Sequence, residues 1–346
     1  MEVRAASKTA RFALAAVVAF PDGGAGGRTV ARAALTGGEV DRAWERAVRE
    51  ALAERVPRVE EVLAANGWRW VAWDDAQFPP ALASLSDPPL GLFVRGRLPE
   101  PQAVALVGSR RATAYGREVA EYLGRELARA GVWVISGMAR GVDGAAHRGA
   151  LASSGCTAAV WGAGPDRIYP AEHAALAEEI AQRGGLLTEY PPGTPPLPHH
   201  FPERNRLVAG LARVVVVIEA SERSGALITA RLALEEGREV MAVPGSVFSR
   251  LSAGPNGLLR AGAAPVLSPA DVLDVLGVAA PPAVVGEERE ELDAFLPAGE
   301  AVSVDHLAAL TGWPVARVLE ALVAAELRGT VVREPDGRYR RHRATR

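Results

Sequence analysis

Between about positions 87 and 278 the chain alternates short apolar runs with stretches of helical spacing, and this alternation constrains the fold more than any other feature. The runs fall at 103–107, 132–136, 157–161, 186–188, 213–218 and 239–243, with helical patterns such as 115–130, 171–183 and 226–236 between them. The runs are nearly continuous in apolar residues, without polar alternation. Such strands are buried on both faces, so the pattern predicts a mostly parallel, doubly wound α/β sheet covered by helices on both sides, of the extended Rossmann-like kind.

Two smaller regions flank it. The segment 1–86 is mainly helical plus a connector: Trp44, Val48, Leu52 and Val56 keep helical spacing, and the Pro-rich stretch 77–89 reads as extended. A linker, 279–290, carries Pro281, Pro282 and the acidic residues Glu287, Glu288 and Glu290. The last region, 291–346, has Ser303 as an N-cap, Gly312 as a turn, Pro314 opening a second helix, and a hairpin around Pro335-Asp336-Gly337. Two short helices and a hairpin predict a winged helix.

Cys156 is the only cysteine, which excludes an intrachain disulfide framework and a Cys-rich zinc site and fits a reducing cytoplasm. Arg4, Lys8 and Arg11 precede an apolar run, 12–20, with the outline of a signal-peptide core. Pro21, Asp22 and the glycines behind it make a poor cleavage site. The run is far shorter than the about 20 residues of a membrane span, so no membrane partner is expected. The formal net charge is −2, and Lys8 is the only lysine among 39 basic residues. As an average, this balance gives no sign of nucleic-acid binding.

The chemistry lies in the turns that follow the strands. In open α/β sheets ligands bind beyond the strand carboxyl ends. The first run ends in Gly108-Ser109-Arg110, where glycine permits close backbone approach, Ser109 offers a hydroxyl, and Arg110 can fork onto phosphate oxygens. Alone, it equally fits an ordinary strand-to-helix turn. The second run ends in Ser136-Gly137-Met138-Ala139-Arg140-Gly141-Val142-Asp143. Asp143 and His147 there fit capping and packing better than catalysis. Phe201-Pro202-Glu203-Arg204-Asn205-Arg206 opens a helix after a Pro-rich loop, and Asn205 is one of only three asparagines. Ser224-Gly225-Ala226-Leu227-Ile228-Thr229 opens another. Four such turns on one sheet edge point to phosphate binding.

Several enzyme classes are absent from the letters. Gly162-Ala163-Gly164 lacks the third glycine of a dinucleotide fingerprint, and neither a Walker A loop nor a Gly-x-Ser-x-Gly elbow occurs. His199-His200 has no acidic or cysteine partner at metal-ligand spacing. No metal and no cofactor is expected.

At these turns the chain resembles the DprA/Smf family of DNA-processing proteins. The matching motifs run in order through Ala105-Leu106-Val107-Gly108-Ser109-Arg110, Ser136-Gly137-Met138-Ala139-Arg140-Gly141, Tyr169-Pro170, Phe201-Pro202-Glu203-Arg204-Asn205-Arg206, Ser224-Gly225-Ala226-Leu227-Ile228-Thr229, Pro244-Gly245-Ser246 and Gly254-Pro255-Asn256. The resemblance implies a non-enzymatic protein of natural transformation. Such a protein binds single-stranded DNA without sequence preference, homodimerises, and loads the RecA recombinase while displacing the single-strand binding protein. It implies Gly108, Ser109 and Arg110 as the phosphate turn, and Arg140, Arg204 and Arg206 as further backbone contacts. Ser136, Gly137, Gly141, Asn205, Ser224, Gly225 and Thr229 complete the set. Phe201 is the candidate for base stacking, with a core or hinge role as its alternative. Where relatives use lysine on the DNA path, this chain has arginine or nothing.

Two other readings compete: a nucleoside-monophosphate glycosidic hydrolase and a nucleotide sensor. The first would need a Pro-Gly-Gly-x-Gly-Thr loop where this chain has Arg223-Ser224-Gly225-Ala226. The second helix of the winged region, with Arg317 but also Glu320 and Glu326, suits duplex DNA or a protein contact. The tail 328–346 holds seven arginines and two acidic residues, which suits added electrostatic affinity or a solubilising end. If the arginines of the turns share one edge, the net charge is the wrong quantity, and a confined cationic groove is the expectation.

Overall fold

The computed structural model describes residues 8–19, 24–35, 42–153, 155–279, 295–296, 301–327, 330–334 and 336–341. The chain divides into two compact units, Met1–Ala280 and Pro281–Arg346. The acidic stretch expected as a linker, 279–290, lies outside the described residues from position 280 onward.

The first unit opens on helices α1 (Lys8–Ala19), α2 (Gly24–Leu35), α3 (Arg42–Glu50) and α4 (Val56–Ala65). Ala13, Leu14, Ala15, Ala16, Val17 and Val18 of α1 are buried, so the signal-like apolar run forms the inside of a helix. They share a core with Trp44, Val48, Phe93, Leu186 and Ile180, which means the N-terminal helices pack directly on the sheet unit. Among the described residues no helix is long and apolar enough to cross a membrane.

The main sheet has nine strands. They are β1 (Trp68–Ala72), β2 (Gly91–Gly96), β3 (Ala103–Val107), β4 (Trp133–Ser136), β5 (Thr157–Trp161), β6 (Gly185–Thr188), β7 (Val214–Val217), β8 (Glu239–Ala242) and β9 (Ala264–Pro265). Their order is β1-β2-β6-β5-β4-β3-β7-β8-β9. The strands from β6 to β9 are parallel, and β1 and β2 extend the sheet antiparallel at the β6 side. β1 lies in the segment 1–86 expected as helices plus a connector, and β2, inside the expected sheet region, is a strand that the apolar runs do not predict. Helix α5 (Pro80–Ala83) and a Pro-rich loop separate them, so no regular alternation announces the pair.

The six strands expected from the apolar runs form the centre of the sheet. β3, β4, β7 and β8 are buried at every position except Glu239. On one face lie α6 (Ala114–Arg129), α7 (Val142–Ala152) and α12 (Pro269–Leu276), whose Leu123, Ala145 and Leu273 pack on Leu106, Val216 and Met241. On the other lie α9 (His200–Leu211) and α10 (Gly225–Glu235), packing Leu207, Val208 and Ala230 on Ala105, Ile135 and Val215. Helices α8 (Ala174–Arg183) and α11 (Ala253–Arg260) complete this unit.

The second unit is a winged helix. Ser303 accepts from His306 N at 3.2 Å and caps α13 (Val304–Thr311), and Gly312, at φ +69°, ends it. Helix α14 (Val315–Leu327) follows, then the antiparallel pair β10 (Val331–Arg333) and β11 (Tyr339–Arg341). Leu307, Val318, Leu322, Val331 and Tyr339 form its core.

Candidate nucleic-acid interface

β3 sends its connection through α6 to β4 on one side, while β7 sends its own through α10 to β8 on the other. Their loops diverge, which leaves a crevice at the strand carboxyl ends. Glu219, just past β7, closes the floor of that crevice. Its carboxylate accepts from Thr113 N at 2.8 Å and Thr113 Oγ1 at 2.6 Å, and its backbone oxygen accepts from Ser109 N at 2.6 Å. Thr113 in turn caps α6 by accepting from Gly116 N at 3.1 Å. A Cβ on Gly116 would lie 2.3 Å from that carboxylate, so glycine is required there. Gly141 is required likewise: its φ is +76° and a Cβ would lie 2.2 Å from Ser109 O. The Ser109 hydroxyl is buried and accepts from Arg111 N at 3.0 Å. It shapes the turn that presents Arg110 and Arg111, both exposed.

The turn after β4 is held from beneath. Asp143 accepts from Gly137 N at 3.1 Å and Ala139 N at 3.2 Å, at the start of α7. Arg204 of α9 donates to Gly137 O at 2.6 Å and to Val160 O. Burial pushes the Asp143 carboxyl up, and the nearby Arg204 charge works against that shift. Burial also pulls the Arg204 guanidinium down, to about 10, against the attraction of Asp143. Arg204 therefore remains a cation at neutral pH, with only 3 % of its surface exposed.

Arg206 is buried too. Its Nη2 donates to both oxygens of Glu189, at 2.7 and 2.5 Å, and its Nε to Asp87 Oδ2 at 3.2 Å. Asp87 also takes Arg28 of α2 at 2.9 Å, so this charge chain ties α9 to the N-terminal helices. Two of the three arginines expected as further DNA-backbone contacts, Arg204 and Arg206, are thus turned inward onto internal partners, with Arg204 Nε and Arg206 Nη1 buried and unbonded. Residue type reports the charge, whereas acids distant in sequence determine the direction.

The remaining expected residues support the same turns. Ser136 Oγ donates to Leu106 O at 2.7 Å, and Ser224 caps α10 by accepting from Ala226 N at 3.3 Å. Asn205 Nδ2 donates to Gly225 O at 3.4 Å, joining α9 to the start of α10. Thr229 is buried inside α10, and Gly108 faces Val142, where a Cβ would come within 2.5 Å.

What faces outward is an aromatic and cationic cluster. The Arg110 guanidinium lies 4.7 Å from the centroid of the Phe201 ring. Tyr169 lies against the same ring, centroids 5.4 Å apart and planes at 43°. Gly162, after β5, leaves room for Phe201, since a Cβ there would lie 3.1 Å from the ring. Phe201 is half-buried and Tyr169 is 41 % exposed, so Tyr169 offers the freer ring face. Arg140 is exposed and pairs with Glu172, whose carboxyl that pairing holds down at about 2. Tyr169 and Arg111 were not singled out from the sequence as site residues. Tyr169 stands 32 positions from Phe201 in the chain; its place after a strand carboxyl end and the Tyr169-Pro170 pair in the series of matching motifs are the signals that flag it. Fixed guanidinium groups beside open ring faces can hold phosphates and stack on planar bases. Among the described residues no cluster of His, Cys, Asp and Glu could hold a metal ion.

Comparison with known proteins agrees with this architecture. The family model described as DNA recombination-mediator protein A matches residues 69–277, and one for the DprA winged helix domain matches residues 278–337. Protein Smf of Escherichia coli is 39 % identical over 287 residues, covering 78 % of this chain and 77 % of Smf. The X-ray structure of DNA processing protein A from Streptococcus pneumoniae superposes with a TM-score of 0.61 at 32 % identity, over 76 % of this chain and 95 % of that one. A structure of DNA processing protein A from Helicobacter pylori, solved for its single-stranded DNA binding mode, superposes with a TM-score of 0.55 at 32 % identity. It covers 60 % of this chain and 95 % of its own.

Proposed function

The chain belongs to the DNA recombination-mediator protein A family, the DprA/Smf proteins, and from that membership we propose that it binds single-stranded DNA along the strand-carboxyl edge of its sheet. It acts in the cytoplasm as a binder and not as an enzyme. It shields incoming single strands during natural transformation and passes them, as a homodimer, to the RecA recombinase in place of the single-strand binding protein. The observation that carries the reading is the outward cluster of Arg110, Phe201 and Tyr169 at the topological switch point. Cations track the phosphates there, and ring faces accept any base, which suits binding without sequence preference.

In this reading Arg110, Arg111 and Arg140 meet the DNA, and Arg204, Arg206, Asp143 and Glu219 position the turns that carry them. Equilibrium binding of oligo-dT at several salt concentrations tests it. Wild type is expected to bind with affinity that falls steeply with salt, and Arg110→Ala to weaken binding and lower the logarithmic salt slope by about 0.7. No binding by wild type, or binding indifferent to Arg110→Ala, overturns it.

A further inference from the structure

Among the described residues of the first unit, the loop after β8 carries the most exposed apolar pair. Val247 is 84 % and Phe248 96 % exposed. The loop is nonetheless ordered by its own bonds. At its base Gly245 N donates to Asn256 Oδ1 at 3.2 Å, and Asn256 Nδ2 returns a bond to Gly245 O at 3.0 Å. At its tip Ser249 N donates to Ser246 O at 3.0 Å and Phe248 N to Ser246 Oγ at 3.3 Å. A Cβ on Gly245 would lie 2.3 Å from Ser252 Oγ, so the base tolerates little change. An aromatic ring held in water by a braced turn is an unfavourable exposure that a ligand can relieve.

Two features select the ligand. The first is continuity with the crevice: Tyr115, 51 % exposed in the first turn of α6, donates to Pro244 O at 3.4 Å. Tyr115 thereby joins the Phe248 loop to the helix start that presents Arg110 and Arg111. The second is charge. Arg250 in the loop and Arg111 ahead of α6 are both exposed, and the stretch 244–250 holds an arginine and no acid. β8 is four strand spacings from β5 in the sheet order. At about 4.8 Å each, the Phe248 loop stands roughly 19 Å along the edge from the Tyr169 loop. One continuous polyanion can reach both.

We propose that Tyr115 and Phe248 form a second stacking station for bases of the same single strand, with Arg111 and Arg250 on its phosphates. The inference rests on the single-strand reading above and extends the path beyond Arg110. Affinity for a short oligo-dT of about 3 nucleotides, too short to span both stations, and a long one of about 20 tests it, using the full chain and the variants Phe248→Ser and Phe248→Trp. Both substitutions are at a surface ring, and circular dichroism checks that the fold is intact.

Phe248→Ser is expected to lose about five- to 150-fold in affinity for the long oligonucleotide and nothing for the short one. Phe248→Trp is expected to keep wild-type affinity, with its added emission quenched by the long oligonucleotide alone. Equal binding of both lengths by Phe248→Ser and wild type overturns the proposal. So does a change of oligomeric state in Phe248→Ser with binding unaltered, which would assign the loop to a contact between copies. If Arg110→Ala weakens binding and Phe248→Ser does not, the station alone fails. If wild type binds neither oligonucleotide, the single-strand reading fails with it.

Discussion

The Glu219 carboxylate accepts both the backbone N–H and the hydroxyl of Thr113, at 2.8 and 2.6 Å, across the gap between β7 and α6. This joins the two loops that leave the switch point in opposite directions. It also places a negative charge beside the positive end of α6, where helix and carboxylate attract. Glu219→Gln keeps the shape but sets an NH₂ group against one of the two Thr113 donors. Stability is expected to fall by about 1–3 kcal/mol, read as a lower urea midpoint with unchanged slope.

Arg204 is a support whose removal strands its neighbours. Arg204→Ala leaves Asp143 buried without its cation and two carbonyls, Gly137 O and Val160 O, without their donor. The expected loss is about 3–5 kcal/mol, the range for breaking a buried charge pair from one side. Arg204→Lys is expected to recover only part of it, because one ammonium cannot reproduce the planar fork. Urea unfolding of the two variants beside wild type checks both statements.

Freeing a cation should strengthen binding. Glu172 holds Arg140 at neutral pH, since its carboxyl titrates only near about 2. Glu172→Gln releases the guanidinium to a phosphate. Oligo-dT binding is expected to tighten, with the salt slope steepening by about 0.7. An unchanged slope would place Arg140 off the DNA path.

His147 makes stability depend on pH. Its Nδ1 lies 2.7 Å from Thr157 Oγ1, and that hydroxyl already gives its proton to Val134 O at 2.6 Å. Nδ1 therefore carries the hydrogen, and Nε2 is buried without a partner. Burial holds the imidazole down at about 3. An unfolded histidine titrates near about 6.5, so between these values the unfolded chain binds a proton that the folded chain refuses. Stability present above about pH 6.5 is then lost as pH falls toward 3, by at most about 1.4 kcal/mol per unit. Asp143, pushed up, acts in the opposite sense, being favourable when protonated. Urea midpoints at about pH 7 and about pH 5 should show the acid-side loss in wild type and a flatter profile in His147→Leu.

The central sheet was legible because its strands are buried on both faces and read as unbroken apolar runs. β1 and β2 were not, because Arg69 and Arg95 interrupt them and their pairing crosses a Pro-rich segment. The turns of the site were legible for a related reason: Gly141 and Gly116 leave no room for any other residue, and such positions are visible as letters. The direction of each arginine was not. Arg110 and Arg204 look alike in the sequence, yet one rests on an outward ring and the other on carbonyls beneath the sheet edge. The inward direction comes with acids distant in the chain: Asp143 faces Arg204 across 61 positions, and Glu189 and Asp87 hold Arg206 across 17 and 119. The role of Tyr169 beside Phe201 was hidden in the same way.

The strand that ends the sheet is two residues long, and one of them is Pro265. Proline has no N–H to offer a neighbouring backbone, so the ladder stops there for want of donors. That margin is a poor template for a further strand, whether from another copy or from an unfolded chain. Growth of the sheet into a cross-chain stack is disfavoured at this side by a single ring.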